Sequence, residues 1–169
     1  MKKILLIVAS LLTTSVATAQ DLISVTAQPH LYCLAQNIYY EARGSSRADQ
    51  MAVSDVVLNR VKDSRYPNTI CGVVYQGKQK PSWKDPTKMV MVRHMCQFSW
   101  YCDGKKDEPP EGDAWRNAQM VAYEMYYLYK DSNITDGATH YHAFYVKPDW
   151  ARRFVLKGRI GSHIFYKQK

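Results

Sequence analysis

Leu31-Tyr-Cys-Leu-Ala-Gln-Asn-Ile-Tyr-Tyr-Glu-Ala-Arg-Gly44, followed by Ser46 and the run Met51-Ala-Val-Ser-Asp-Val-Val-Leu-Asn-Arg-Val61, decides how this chain reads. Leu31, Leu34, Ala35, Ile38 and Ala42 recur at helical spacing, and Gly44 supplies a stop. Ser46 is placed to open a second helix, with Asp49 three residues on as a capping-box partner. Apolar residues fall nearly all round that second helix through Val61, so it reads as the central buried one. Glu41 sits at the edge of the first helix's apolar side, about 20° beyond Leu34. A carboxyl there stands at the rim of a cleft, partly withdrawn from water. Desolvation disfavours the carboxylate and raises the pKa, as a general acid requires near neutral pH. The plainer alternative is a surface glutamate paired with Arg43 or another arginine.

Outward from this pair, Tyr66-Pro67-Asn68 ends the unit, and Ile70 to Tyr75 reads as a short helix or strand. Residues 77–110 collect loop signals: Gly77, Pro81, Pro86, Asp103-Gly104 and Pro109-Pro110. Asp113 is expected to cap a third long helix with Trp115, Ala118, Ala122, Met125, Tyr126 and Tyr129 on one side. Thr139 to Val146 reads as a strand after the Asp136-Gly137 turn, and His163 to Tyr166 as a last short one. The fold class is therefore α+β: a single helix-rich domain with a small sheet and a lysozyme-like cleft.

The N-terminus carries Lys2 and Lys3, the apolar run Ile4 to Leu12, and Ala17-Thr-Ala19. That pattern reads as a signal peptide over residues 1–19, followed by a short lead-in at 20–30 and the domain at 31–169. The expected location is secreted or periplasmic, with no stable membrane insertion after cleavage. Four cysteines, Cys33, Cys71, Cys96 and Cys102, suit disulfides in an exported chain, and three pairings are open. The net charge of +8 falls to +6 without Lys2 and Lys3, which suits an anionic wall polymer. The cations are scattered, so nucleic acid is not expected as a partner.

Several blocks together resemble the spore-cortex-lytic (SleB-type) family of cell-wall hydrolases. They are Cys33 to Gly44, Gln50-Met-Ala-Val53, Val57-Leu-Asn-Arg-Val61, Tyr66 to Gln76, Cys96-Gln-Phe-Ser-Trp-Tyr-Cys-Asp-Gly104, Gly137-Ala-Thr-His-Tyr-His142 and Ile160 to Tyr166. The resemblance implies cleavage between N-acetylmuramic acid and N-acetylglucosamine in peptidoglycan glycan strands, with Glu41 as the catalytic residue. It further implies a lytic transglycosylase, in which the C6 hydroxyl of muramic acid is the nucleophile and one carboxyl acts as acid and then base. No cofactor is implied. Nothing in the sequence signals a spore, so general peptidoglycan is the expected substrate.

Gln97, Phe98, Ser99 and Trp100 combine amide, hydroxyl and aromatic groups suited to sugars, although Phe98 and Trp100 would serve equally as core. Asp103 is the candidate for a second carboxylate, and is expected to shape the site or bind sugar instead. The blocks add Tyr75, Thr139, Tyr141 and His142 as candidate substrate contacts. His140 and His142 share a strand face, and His163 could approach them, which keeps a zinc amidase as the enzymatic rival. No His-Glu-x-x-His motif supports it, and no metal ligand set is expected. A non-catalytic wall-binding module is the third reading.

Overall fold

The computed structural model describes Val25 and residues 27–169. The expected signal peptide and most of the lead-in lie outside the described residues. Among the described residues, four α-helices run in chain order: α1 (Pro29–Ala42), α2 (Arg47–Lys62), α3 (Ile70–Val74) and α4 (Asp113–Tyr127). Five strands form two sheets. β1 (Gly77–Pro81) and β2 (Met89–Cys96) make an antiparallel ribbon. β3 (His140–Ala143), β4 (Val155–Ile160) and β5 (His163–Lys167) make an antiparallel sheet in the order β3-β5-β4. The architecture is α+β in a single domain.

α1 begins at Pro29, two residues before the first periodic leucine, because a proline in the first turn has its φ preset and needs no N–H acceptor. Its buried side, with Leu31, Leu34 and Ile38 fully covered, packs on α2, α3 and α4. α2 is covered on nearly every side, as its composition predicts: Ala52, Val53, Val56 and Val57 are all at 0% exposure. Ser46 caps it, Oγ accepting from Asp49 N at 3.3 Å. The reciprocal half of the expected capping box does not form. The Asp49 carboxylate turns to β5 instead, accepting from Ser162 N at 2.9 Å and lying 2.7 Å from His163 Nδ1. Asp55 on the same helix accepts from Thr135 N and Thr135 Oγ1 at 2.9 and 2.6 Å. Asp49 thus ties α2 to the sheet and Asp55 ties it to the turn before β3, each carboxylate with partners that offset its desolvation.

Other expectations are corrected. Gly112 occupies the cap of α4 and Asp113 lies inside its first turn, while Tyr129 falls beyond the helix end at Tyr127. Residues 77–96 are a paired ribbon rather than loop; Pro81 sits at the end of β1, where a missing N–H costs no ladder bond. The strand expected over 139–146 shortens to His140–Ala143, and β4 was not foreseen. Cys33 bonds Cys71, joining α1 to α3, and Cys96 bonds Cys102, closing the loop after β2.

Candidate active site

Glu41 lies in the last turn of α1, where the packed helices leave its carboxyl half-buried. It lines a cleft of about 170 Å³ with Arg60, Cys96, Gln97, Phe98, Ser99 and Tyr141. The space is far larger than one water requires. Tyr141 on β3 donates its hydroxyl to Glu41 Oε2 at 3.1 Å. Burial raises the Glu41 pKa above the ordinary carboxylate value, and the Tyr141 hydrogen bond, His163 and Arg60 only partly oppose that. Among the described residues, Glu41 is the sole carboxyl lining this cleft.

Arg60, on α2, is a site residue that sequence reading passed over as part of a motif. It is 4% exposed; its Nε donates to the Thr139 carbonyl at 2.7 Å, and its guanidinium lies 5.3 Å from the Tyr66 ring and 5.2 Å from the Phe98 ring. Its Nη1 has no hydrogen-bond partner in the protein. A charged residue in a helix apolar all round was the available signal, since a buried cation needs a reason.

The expected sugar contacts divide. Gln97 and Ser99 are exposed in the cleft. Phe98 contributes wall but is 3% exposed, and Trp100 is 7% exposed. Trp100 stacks on Tyr40 at 4.6 Å and donates to Asn37 Oδ1 at 3.3 Å, so it is held in the packing of the body. Asp103 lines a neighbouring depression with Tyr40, Arg43, Trp100, Lys105, Lys106 and Asp107. The Lys105 backbone N–H holds its carboxylate below the usual range. Tyr75 donates to Gln36 Oε1 and packs on Tyr101 outside the Glu41 cleft. Thr139 is buried and acts through its backbone on Arg60.

His142 lies on the opposite face of the sheet from Tyr141, for a simple reason. Neighbouring strand residues alternate faces, and the β3–β5 register pairs Tyr141 with Phe165 and Ala143 with His163. Tyr141, His163 and Phe165 therefore face α2 and the core, while His140, His142 and Tyr166 face the other way. His142 contacts Tyr166 and Trp150 there. The same register parts His163 from His140 and His142, so the three-histidine zinc arrangement does not assemble. Among the described residues, no group of three or more His, Cys, Asp or Glu is placed to hold a metal.

A larger apolar cavity, about 370 Å³, lies by His30 at the other end of α1. At 1.5 Å per residue that is roughly 16 Å along the helix from Glu41, and it contains no acid.

Residues 44–166 match the Cell Wall Hydrolase family (Hydrolase_2). The chain belongs to the cell wall hydrolase family. Glu41 stands three residues before the matched stretch. This cell wall hydrolase is 38% identical over 141 residues to a spore cortex-lytic enzyme of Bacillus cereus, covering 83% of its own length and 45% of that protein. It is 40% identical over 139 residues to a spore cortex-lytic enzyme of Halalkalibacterium halodurans, covering 78% of this chain and 33% of that one. The chain thus spans less than half the length of these relatives. Its fold is similar to the catalytic domain of the germination-specific lytic transglycosylase SleB from Bacillus anthracis, with TM-score 0.57, 24% identity, and coverage of 83% and 95% of the two chains. The catalytic domain of the Bacillus cereus SleB protein gives TM-score 0.55 at 24% identity, covering 83% and 91%.

Proposed function

We propose that this chain is an exported lytic transglycosylase that cuts the bond between N-acetylmuramic acid and N-acetylglucosamine in peptidoglycan, with Glu41 as its catalytic residue. The observation that carries this reading is a lone carboxyl in a cleft, biased toward its protonated form by burial. Glu41 gives its proton to the glycosidic oxygen as the C1–O bond breaks. The resulting carboxylate takes the proton of the muramic C6 hydroxyl as that oxygen bonds to C1, leaving a 1,6-anhydro end. Acid and base are one group, so no second carboxylate at a fixed separation is needed.

Tyr141 holds the carboxyl in place and, with Arg60 nearby, stabilises the carboxylate between the two steps. Gln97 and Ser99 offer hydrogen bonds to sugar, and Asp103 serves the adjoining depression. Export over a signal peptide at residues 1–19, with catalysis in 31–169, agrees with two disulfides in one small domain.

Mass spectrometry of fragments released from purified walls is the test. Anhydro-muramic ends are the expected product. Reducing ends would assign the same cleft to water-using hydrolysis, and freed stem peptides would overturn glycan cutting altogether.

A further inference from the structure

The β1–β2 ribbon carries a different chemistry from the cleft it adjoins. Residues 77–96 hold Lys78, Lys80, Lys84, Lys88 and Arg93 against the single acid Asp85, a net +4 and so half the +8 of the whole chain. Asp85 is already paired to Lys88 at 3.3 Å. In the same segment Trp83 is 87% exposed, Met89 55% and Met95 50%, although nothing in the fold requires an indole in water. Lys84 Nζ lies 5.3 Å from the centre of that ring. Two-stranded ribbons are marginal on their own. This one is anchored toward its base, where Cys96 bonds Cys102, Gln97 N donates to Gln76 O at 2.9 Å and Arg93 Nε donates to the Asp103 carbonyl at 3.1 Å.

That base is also a wall of the Glu41 cleft, since Cys96 and Gln97 line both. Eight residues of β2 reach roughly 25 Å from it at strand rise. A polymer lying in the cleft passes the root of the ribbon. Strands of peptidoglycan bear stem peptides that carry carboxylates, and the ribbon's excess of cations over acids complements them.

We propose that the ribbon is a second contact surface for the same wall polymer, its lysines meeting stem-peptide carboxylates and the Trp83 ring lying against a sugar face. This rests on the glycan-cutting reading of the cleft. The ribbon would hold the enzyme on insoluble, peptide-bearing wall while the short cleft handles a few sugars at a time.

Pelleting with purified sacculi tests it in a Glu41→Gln background, where turnover is expected to be too slow to dissolve the wall during the assay. Lys80→Glu/Lys84→Glu/Lys88→Glu is expected to weaken binding about tenfold at low salt and to flatten its salt dependence. Trp83→Ala is expected to weaken it severalfold at every salt concentration. On walls stripped of stem peptides the charge reversal should have no effect. Unchanged thermal midpoints establish that the losses are of contact rather than of fold.

Unaltered sacculus binding by both variants overturns the proposal. So does loss of binding to phosphatidylglycerol vesicles with wall binding intact, which would give the surface to a lipid headgroup. Failure of the cleft reading shows elsewhere, as absence of anhydro ends from the unsubstituted protein.

Discussion

The α1–α2 body and the β1–β2 ribbon meet at Cys96, yet they treat apolar side chains in opposite ways. Leu34, Ile38, Val53 and Val57 are fully covered, while Trp83, Met89 and Met95 stand at least half exposed. Where packing closes around a helix end it removes water from one carboxyl and moves its proton affinity. Where the chain stands away from the core, charges stay hydrated and remain available to a partner. On the proposed reading, chemistry sits in the packed region and surface recognition in the unpacked one.

The largest effect that could break this contrast is at Glu41. Glu41→Gln should lower the rate of wall lysis by about 10²–10⁴-fold, followed as turbidity loss of purified walls. Asp103→Asn should cost less than about tenfold, because Asp103 lines the neighbouring depression and is tied to Lys105. Equal losses would replace the lone-acid mechanism with a carboxylate pair.

Core truncation comes next. Ile38→Ala, in the closed packing under α1, should destabilise the fold by about 2–5 kcal/mol. Val90→Ala on the ribbon, already 40% exposed, should stay within about 0.5 kcal/mol. Urea unfolding monitored by circular dichroism reads both, and comparable values would mean that the ribbon is packed in solution.

The two disulfides sharpen the comparison by loop length. Cys33–Cys71 spans 38 residues inside the helical body, whereas Cys96–Cys102 spans 6 at the ribbon's root. Loop-closure entropy gives about 4 kcal/mol for the first and about 2 kcal/mol for the second. Paired Cys→Ala variants, compared by thermal denaturation, should keep that order.

The smallest effects are those of pH. His140 is held neutral, its pKa lowered to about 4, first by burial and then by Arg60 and Arg65. Both states are neutral above about pH 6.5; below it the unfolded chain takes the proton first, so stability is lost as pH falls toward about 4. The loss should be about 1–2 kcal/mol after screening of this partly exposed ring, and His140→Asn should remove it. Glu41 has the opposite sign. Its raised pKa binds the proton more tightly in the folded state, so ionising it weakens the fold as pH rises. Glu41→Gln should therefore raise the thermal midpoint at neutral pH, by a margin that shrinks on acidification. Lysis should likewise fade as pH rises through the Glu41 pKa.

The helices were readable because their apolar period survives in any tertiary setting. The ribbon was not: Gly77, Pro81 and Pro86 read as loop, and its pairing is made by backbone bonds that carry no side-chain signature. β4 escaped for the same reason, with Gly158 interrupting a half-exposed strand. Within the site, Glu41 could be found as a carboxyl on the edge of an apolar stripe. Tyr141 and His142 were both candidates, and since strand residues alternate faces, only the pairing with Phe165 selected Tyr141. Arg60 went unnoticed because its role depends on Thr139, 79 residues away.

By itself the sequence determined the α+β class, the α1 and α2 helices, and the edge position of Glu41, because these follow from local periodicity and side-chain size. Only the tertiary structure decided which groups surround that carboxyl, which cysteines pair, and how far Phe98 and Trp100 are buried. Those outcomes depend on register and on contacts between residues far apart in the chain, where a shift of one residue turns a cleft-facing side chain to the opposite side.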